Sequence, residues 1–278
     1  MAKKKNHFGK IVACGAILAG AAIFLERLAT ATEEPETIDE GNTYLQQDQD
    51  KDAEDDPQQA QAADPTLYES LGKRVIDKTL SFLGLVALAP VYAAIAVAIE
   101  IDDPGTVMFK QKRVGKDKHC FELHKFRSMK MSTPHDVPTH QLEDPDQYIT
   151  RVGKFLRRTS LDELPQIWDI FRGKVSIIGP RPALWNQEDL IAERDKYGAN
   201  NVKPGLTGWA QINGRDELEI PVKAGLDGEY VSELKKGGLE AFLFDVRCFM
   251  GTISSVLNEE GVVEGGTGEL KKREGELN

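Results

Sequence analysis

The sequence has few of the residues that build disulfide frameworks or zinc centres. Its three cysteines, Cys14, Cys120 and Cys248, are widely separated and form no Cys-x-x-Cys pair. Its five histidines lack the spacing of a His-Glu-x-x-His helix. We therefore expect neither a small disulfide-stabilised fold nor a hydrolytic zinc site.

The sequence also lacks a basic stripe or an aromatic platform for nucleic acid, and its formal net charge is −10. The acidity is concentrated in residues 31–68, where twelve Asp or Glu residues accompany one lysine. Large apolar side chains are rare in this stretch, so it cannot bury enough surface to offset the entropy of ordering. We predict a disordered acidic linker over residues 31–68 and no nucleic-acid partner.

Two apolar segments are candidates for membrane insertion. Residues 11–25 follow several lysines, so residues 1–30 are predicted to be a secretory signal, a membrane anchor or a short spanning helix. Residues 79–99 carry no charge and are long enough to cross ~30 Å of hydrocarbon. Pro90 lies at the centre of this second segment, so it either crosses, bends and returns to the same side, or forms a buried core helix.

Charged residues flank the second segment and are expected to keep both of its ends in water. Lys73, Arg74, Asp77 and Lys78 precede it, and Glu100, Asp102 and Asp103 follow it. The positive-inside rule does not choose between a spanning and a re-entrant segment, because the outcome depends on whether residues 11–25 span.

The remainder predicts a mixed α and β domain. Residues 107–112 and 120–126 form a predicted hairpin around a polar turn at Gly115, and residues 187–197 form a polar helix. Residues 132–146 and 202–215 are predicted loops, and residues 259–278 a disordered tail. Apolar residues recur at helical spacing over residues 242–257, where the stripe packs on the domain or lies in the membrane interface.

Asp162 and Glu163 are adjacent carboxylates at a predicted helix start. One interpretation is a capping box between Ser160 and Glu163, with Gly173 ending the helix. Pro165 is placed more comfortably if the helix begins at Asp162. In either case Asp162 is predicted to lie in the first turn, where the helix dipole keeps a carboxylate ionised and favours a nearby phosphate.

From about residue 73 to residue 257 the chain resembles the bacterial sugar transferases, the monotopic polyprenyl-phosphate phosphoglycosyl transferases. The resemblance is carried by collinear motifs: Lys73-Arg74-x-x-Asp77, Phe109-x-Gln111-x-Arg113-x-Gly115, His124-Lys125-Phe126-Arg127-Ser128-Met129, Arg158 to Gln166, Ile178-Gly-Pro-Arg-Pro182, and Lys203 to Arg215. Each motif is weak alone, and the ordered set is specific.

The resemblance implies an α+β, helix-rich, membrane-associated catalytic domain over residues 69–258, with a proline-kinked re-entrant helix at residues 79–99. It implies a bacterial inner-membrane protein whose catalytic domain faces the cytoplasm. The implied reaction transfers a sugar-1-phosphate from a UDP-sugar to undecaprenyl phosphate, releases UMP and begins surface polysaccharide assembly. Magnesium is the implied cofactor, and membrane lipid is an implied partner. A homo-oligomer and polysaccharide-assembly partners are left open.

On this basis Asp162 is the predicted nucleophile of a covalent two-step transfer. Glu163 is the predicted magnesium ligand, with Asp162 as a second candidate ligand. Arg181, Arg215 and Lys125 are predicted to bind substrate phosphates. His124 is expected to be structural, and Trp209 to pack within its loop.

Two other functions remain as alternatives: a non-catalytic membrane scaffold and a magnesium-dependent nucleotide-sugar pyrophosphatase. The scaffold would tolerate loss of Asp162, and the pyrophosphatase would release product without lipid. No motif encodes which sugar is transferred, because donor choice depends on pocket contacts.

Overall fold

The computed structural model describes residues 64–133, 145–214 and 218–257. The predictions for residues 1–30, for nearly all of the acidic linker, for Arg215 and for the C-terminal tail lie outside these residues. Most of the predicted loop at residues 132–146 also lies outside them.

The described elements lie along the chain in the following order. They are a π-helical turn (Tyr68–Gly72), α1 (Lys73–Asp102), β1 (Met108–Val114), β2 (Cys120–Phe126), α2 (Arg151–Arg158), a 3-10 turn (Leu161–Glu163), α3 (Gln166–Arg172), β3 (Ser176–Ile178), α4 (Glu188–Asp195), β4 (Gly205–Thr207), α5 (Trp209–Ile212), α6 (Ile220–Lys236) and α7 (Gly238–Leu257). Shorter 3-10 turns occupy Lys116–Lys118, Pro145–Tyr148 and Ala199–Asn201. Helices dominate, which confirms the helix-rich α+β prediction.

The predicted hairpin is present. β1 and β2 pair antiparallel with Gln111 opposite Leu123, and the turn between them follows Gly115. β1 starts one residue later than predicted and continues to Val114 because Val114 is buried and its N–H donates to Ala183 O. The predicted loop at residues 202–215 was partly wrong. It contains β4, which pairs parallel with β3, and the short helix α5.

The long apolar segment forms part of α1, a 30-residue helix that continues through Pro90. Together with the π-helical turn, it is the one helix in the described residues that is long and apolar enough to cross a membrane. Many of its apolar side chains are exposed, whereas Tyr92, Ile95 and Ile99 pack against Phe126 and Leu156.

The prediction that charged residues keep both ends of α1 in water was wrong at several positions. Lys73 and Asp77 are buried, because Lys73 Nζ lies 2.5 Å from Asp245 Oδ2 and Asp77 accepts from Ser176 Oγ at 2.8 Å. At the other end, Asp102 Oδ2 accepts from Val152 N at 2.9 Å. Both ends of α1 are therefore attached to the same polar domain.

The start of α1 is also tied to the last two helices. Tyr68, which the linker prediction included, instead donates from its hydroxyl to Asp245 Oδ2 at 2.8 Å. Tyr230 donates to Asp245 Oδ1 at 3.0 Å. Asp245 on α7 therefore accepts hydrogen bonds from Lys73, Tyr68 and Tyr230. Burial and the nearby Asp245 carboxylate raise the pKa values of Tyr68 and Tyr230, which keeps both as hydroxyl donors.

The predicted helical stripe near the C-terminus corresponds to α7. Ala241 and Cys248 on one face are buried in the core. Leu239, Leu243 and Met250 on the other face are exposed. The helix therefore packs on the domain, as one alternative proposed, and also retains an exposed apolar face.

Candidate active site

Asp162 and Glu163 lie in a 3-10 turn between α2 and α3. Ser160 adopts a left-handed backbone conformation with φ of 54°, and its side chain caps nothing. The α-helix begins only at Gln166, with Pro165 at its N-cap position. The capping box was therefore wrong, and so was the placement of Asp162 in the first turn of an α-helix. The left-handed backbone at Ser160 explains both errors. It interrupts the helical path after α2, so Asp162 and Glu163 lie in a separate turn.

Glu163 is held by two cations. Lys125 Nζ lies 3.0 Å from Glu163 Oε1, and Arg181 contacts both Glu163 oxygens, with Nη1 3.4 Å from Oε2. Burial alone would raise the pKa of Glu163, but the charges and hydrogen bonds of Arg181 and Lys125 outweigh it and hold the pKa far below its usual range. Glu163 is thus an ionised carboxylate that is held between two cations, Lys125 and Arg181.

Asp162 has a different environment. No described residue forms an ion pair with its carboxylate. Burial raises its pKa, Glu163 adds to that increase, and Lys125 and Arg157 oppose it. The adjacent carboxylates therefore have opposite pKa shifts, the pattern expected when two acidic groups serve different roles.

The loop that carries Arg181 is joined to β4 by backbone hydrogen bonds. Gly179 N donates to Thr207 O, and Gly205 N donates to Pro180 O, both at 2.8 Å. A β-carbon at Gly205 would lie only 2.1 Å from Gly179 N, so this close packing requires glycine. The contact fixes the loop that presents Arg181 to Glu163.

Lys125 is positioned by β2 and by the helix behind it. His124 N donates to Asp169 Oδ2 at 2.9 Å, and His124 Nδ1 lies 2.7 Å from Asp169 Oδ1. Both residues are buried, in agreement with the structural role expected for His124. Arg127, two residues after Lys125 in the same motif, forms an ion pair with Asp103 rather than with Glu163, with 3.1 Å between Nη1 and Oδ2.

The structure brings together four of the five predicted site residues: Asp162, Glu163, Lys125 and Arg181. The fifth, Arg215, lies outside the described residues. Trp209 packs as expected, although in a helix: its ring centroid is 5.0 Å from that of Phe244, and Nε1 donates to Glu229.

Sequence reasoning missed Asp169 and Arg157. Asp169 is buried beside Ile170 on α3, and no local pattern in the sequence indicated that it pairs with His124. Arg157 directly precedes the motif at Arg158, but nothing in its spacing indicated that its charge reaches Asp162.

The residues present fit a magnesium ion with few protein ligands. No cluster of three or more His, Cys, Asp or Glu side chains occurs within the described ranges. Mg²⁺ commonly takes one or two carboxylates and completes its shell with water and substrate phosphate oxygens. Asp162 and Glu163 supply such a pair, although Glu163 is already ion-paired.

A family model of the bacterial sugar transferases matches residues 68–259. The chain belongs to the bacterial sugar transferase family. The match contains Asp162, Glu163, Lys125 and Arg181, and it begins where the described structure becomes helical.

Curated relatives share this region. The chain is 43% identical over 151 residues to a UDP-glucose:undecaprenyl-phosphate glucose-1-phosphate transferase of Xanthomonas campestris, covering 53% of this chain and 31% of that protein. It is 43% identical over 168 residues to the enzyme of the same name from Escherichia coli, covering 58% of this chain and 36% of that one. The aligned part thus spans about a third of the length of these relatives.

A shorter relative aligns over nearly its whole length. The chain is 36% identical over 193 residues to the exopolysaccharide production protein PSS of Rhizobium leguminosarum, covering 66% of this chain and 94% of that protein. The aligned region of this chain therefore corresponds in extent to nearly the whole of that protein.

Proposed function

We propose that this chain is a phosphoglycosyl transferase that moves a sugar-1-phosphate from a UDP-sugar to undecaprenyl phosphate. The observation that carries the proposal is the divided carboxylate pair, in which Glu163 is held by Lys125 and Arg181 while Asp162 has no ion-pair partner among the described residues. The names of the relatives support the substrate classes.

Asp162 is the proposed nucleophile. Its carboxylate oxygen attacks the phosphorus that carries the sugar, the bond from that phosphorus to the bridging oxygen breaks, and UMP leaves with the bond's electron pair. An oxygen of undecaprenyl phosphate then attacks the same phosphorus, the aspartyl bond breaks, and Asp162 returns to its free carboxylate. The product is a lipid-linked diphosphate sugar.

Lys125 and Arg181 are proposed to receive the donor's phosphate oxygens. Both are already directed at one carboxylate, and a guanidinium binds phosphate oxygens with the same forked donors that it uses for a carboxylate. Lys125 also favours the ionised form of Asp162, the form that can attack. Arg215 remains a proposed phosphate ligand.

Magnesium is proposed to bind through Asp162 or Glu163 together with substrate oxygens, and its chemistry there is to offset negative charge on the diphosphate. The protein's own contribution is to keep Glu163 ionised, since Arg181 and Lys125 lower its pKa.

The attachment of both ends of α1 to one domain supports a re-entrant placement, and we propose that the domain lies at the cytoplasmic face of the inner membrane. Lys73 at the start contacts Asp245, and Asp102 at the end contacts Val152. A helix that crossed the bilayer would have to place these contacts on opposite sides of it. A reporter fused after Asp64 and one fused after Asn278 should therefore lie on the same, cytoplasmic side. Opposite sides would contradict the re-entrant placement.

The activity test is UMP release by membranes that contain the full chain, with magnesium, undecaprenyl phosphate and a panel of UDP-sugars. We expect lipid-dependent release with at least one donor and loss of at least about a thousandfold in Asp162→Asn. The matched control is Asp189→Asn, which changes an exposed aspartate at the start of α4 and should retain activity.

The same assay separates the alternatives. Repeated turnover without lipid would indicate the pyrophosphatase, because the proposed transferase would stop once its aspartyl adduct had formed. No release with any donor from folded protein would favour the scaffold. Omitting lipid should also allow a sugar-phosphate adduct to accumulate on the parent protein and not on Asp162→Asn, which intact-protein mass spectrometry can detect.

A further inference from the structure

A second cationic cleft has a lining that includes neither Asp162 nor Glu163. Ser176, the first residue of β3, lines this cleft, whereas Arg181 lies in the loop after Ile178, the last residue of the strand. Lys73, Arg74, Lys116 and Lys203 contribute to its lining from three separate parts of the chain. The proposed transfer reaction uses none of these lysines.

The acidic groups of the cleft are largely committed to the fold. Asp77 accepts from Ser176 Oγ at 2.8 Å and from Ile177 N at 3.0 Å, so its oxygens are occupied. The charge of Lys73 is balanced by Asp245. Arg74, Lys116 and Lys203 remain, and within the part of the chain that the structure describes no salt bridge pairs them with an acid. Glu69 is the other acidic residue of the lining.

Crowding of positive charge is evident at Lys203. Burial lowers its pKa, Asp77 opposes this, and Arg74, Lys116 and Lys73 lower it further. Arg74, Lys116 and Lys203 line one cleft with more positive than negative charge, so an anion bound there would reduce their mutual repulsion. The favourable anion is compact and carries several acceptor oxygens, because the cations approach from different sides.

We propose that this cleft binds a phosphoryl group, held by Lys116, Lys203 and Arg74. The group could be supplied by a small soluble phosphate ester or by a phospholipid headgroup, and the chemistry of recognition is the same. The lining of the cleft contains none of Asp162, Glu163, Lys125 and Arg181, so a phosphoryl group held here would be bound outside the proposed catalytic residues.

The test uses the full chain in dodecyl maltoside, with Arg181→Ala as the background to weaken phosphate binding at the catalytic site. Inorganic phosphate is titrated and followed by calorimetry in one arm. In the other arm, phosphatidylglycerol is added to the micelles and retention is measured by native mass spectrometry. Lys116→Ala and Lys203→Ala are compared with Lys196→Ala, which removes an exposed lysine paired to Glu193.

We expect each cleft substitution to weaken binding by at least about tenfold in one of the arms, and Lys196→Ala to leave it unchanged. An effect in the phosphate arm identifies a soluble ligand, and an effect in the phosphatidylglycerol arm identifies a headgroup. Equal binding by all variants in both arms would overturn the proposal.

Lys203 also has a competing structural explanation. Its Nζ would lie 3.8 Å from a β-carbon at Gly173, so the ammonium is near the carboxyl end of α3, where a cation is favoured. If this is its only role, Lys203→Ala will lower the thermal midpoint without changing binding in either arm. Lys116→Ala provides the independent readout, because Lys116 is in the hairpin turn.

Discussion

Lys125 Nζ lies 3.0 Å from Glu163 Oε1, and this contact joins the β-hairpin to the turn that carries both carboxylates. The same ammonium group also lowers the pKa of the neighbouring Asp162. One side chain therefore acts on both acids, holding one by a hydrogen bond and the other through its charge.

Replacing Lys125 should change the pH dependence of transfer. Burial raises the pKa of Asp162 and Lys125 opposes that increase, so Lys125→Ala should raise the pKa further. Because Asp162 is the proposed nucleophile and would attack in its ionised form, the acidic limb of the kcat profile should move to higher pH, and activity at neutral pH should fall at least about tenfold. The measurement is lipid-dependent UMP release against pH. An unchanged acidic limb with lower activity would assign Lys125 to phosphate binding alone.

Arg181 should stabilise the fold through Glu163 in a pH-dependent manner. The pKa of Glu163 is lowered in the folded protein, so this contribution is present above the unfolded value of about 4.3 and is lost as the pH falls toward the folded pKa. Arg181→Ala should cost about 1–2 kcal/mol at pH 7, since Lys125 still contacts Glu163.

The difference between parent and Arg181→Ala should shrink when unfolding is measured at pH values below about 4. Arg181→Lys is the matched variant: it keeps the charge and loses the forked geometry, so it should recover part of the stability. A difference that does not depend on pH would show that Arg181 stabilises the loop by packing.

Asp169 should contribute to the stability of the fold through its two hydrogen bonds to His124. Asp169→Ala removes the acceptor for both His124 N and His124 Nδ1 in a buried place and should cost about 2–4 kcal/mol. Asp169→Asn keeps the shape and one acceptor oxygen, so it should lose about one hydrogen bond, at a cost of about 1 kcal/mol. Chemical denaturation in detergent, followed by circular dichroism, provides the comparison. Equal losses would argue against the two hydrogen bonds as the cause.

Two helical glycines should respond in opposite directions to alanine. A β-carbon at Gly153 in α2 would lie 1.9 Å from Ser128 O, so Gly153→Ala should destabilise by more than about 2 kcal/mol. A β-carbon at Gly225 in α6 meets nothing within 4 Å. Gly225→Ala should stabilise by about 0.5–1 kcal/mol, because alanine loses less entropy in a helix. Thermal midpoints of the two variants test both directions, and a loss of stability in Gly225→Ala would contradict the second.

The sequence was informative where the signal was local. Period-two alternation and the polar turn located β2 at its observed bounds, and apolar spacing located α7. The carboxylates and their cations were recognised by motif. Ser160 was misjudged because a serine before a charged turn also fits an N-cap, and only the backbone shows its left-handed conformation.

Long-range polar pairing could not be predicted in the same way. Asp77 and Ser176 meet across the fold, as do Lys73 and Asp245, and no local period relates them. Flanking charge next to an apolar helix normally predicts exposure to water. Here tertiary hydrogen bonds override that preference, which is why the ends of α1 were misassigned.

The attachment of Asp245 to Lys73, Tyr68 and Tyr230 has a mechanical consequence. A helix joined to its domain by a flexible hinge would let the domain tilt and rise freely above the lipid. The buried hydrogen bonds at the base of α1 remove that freedom, so in the proposed re-entrant placement the depth of α1 in the bilayer would set the height of Asp162 above it. A lipid phosphate, whose own height is fixed by the membrane, would then meet the carboxylate without any search perpendicular to the surface.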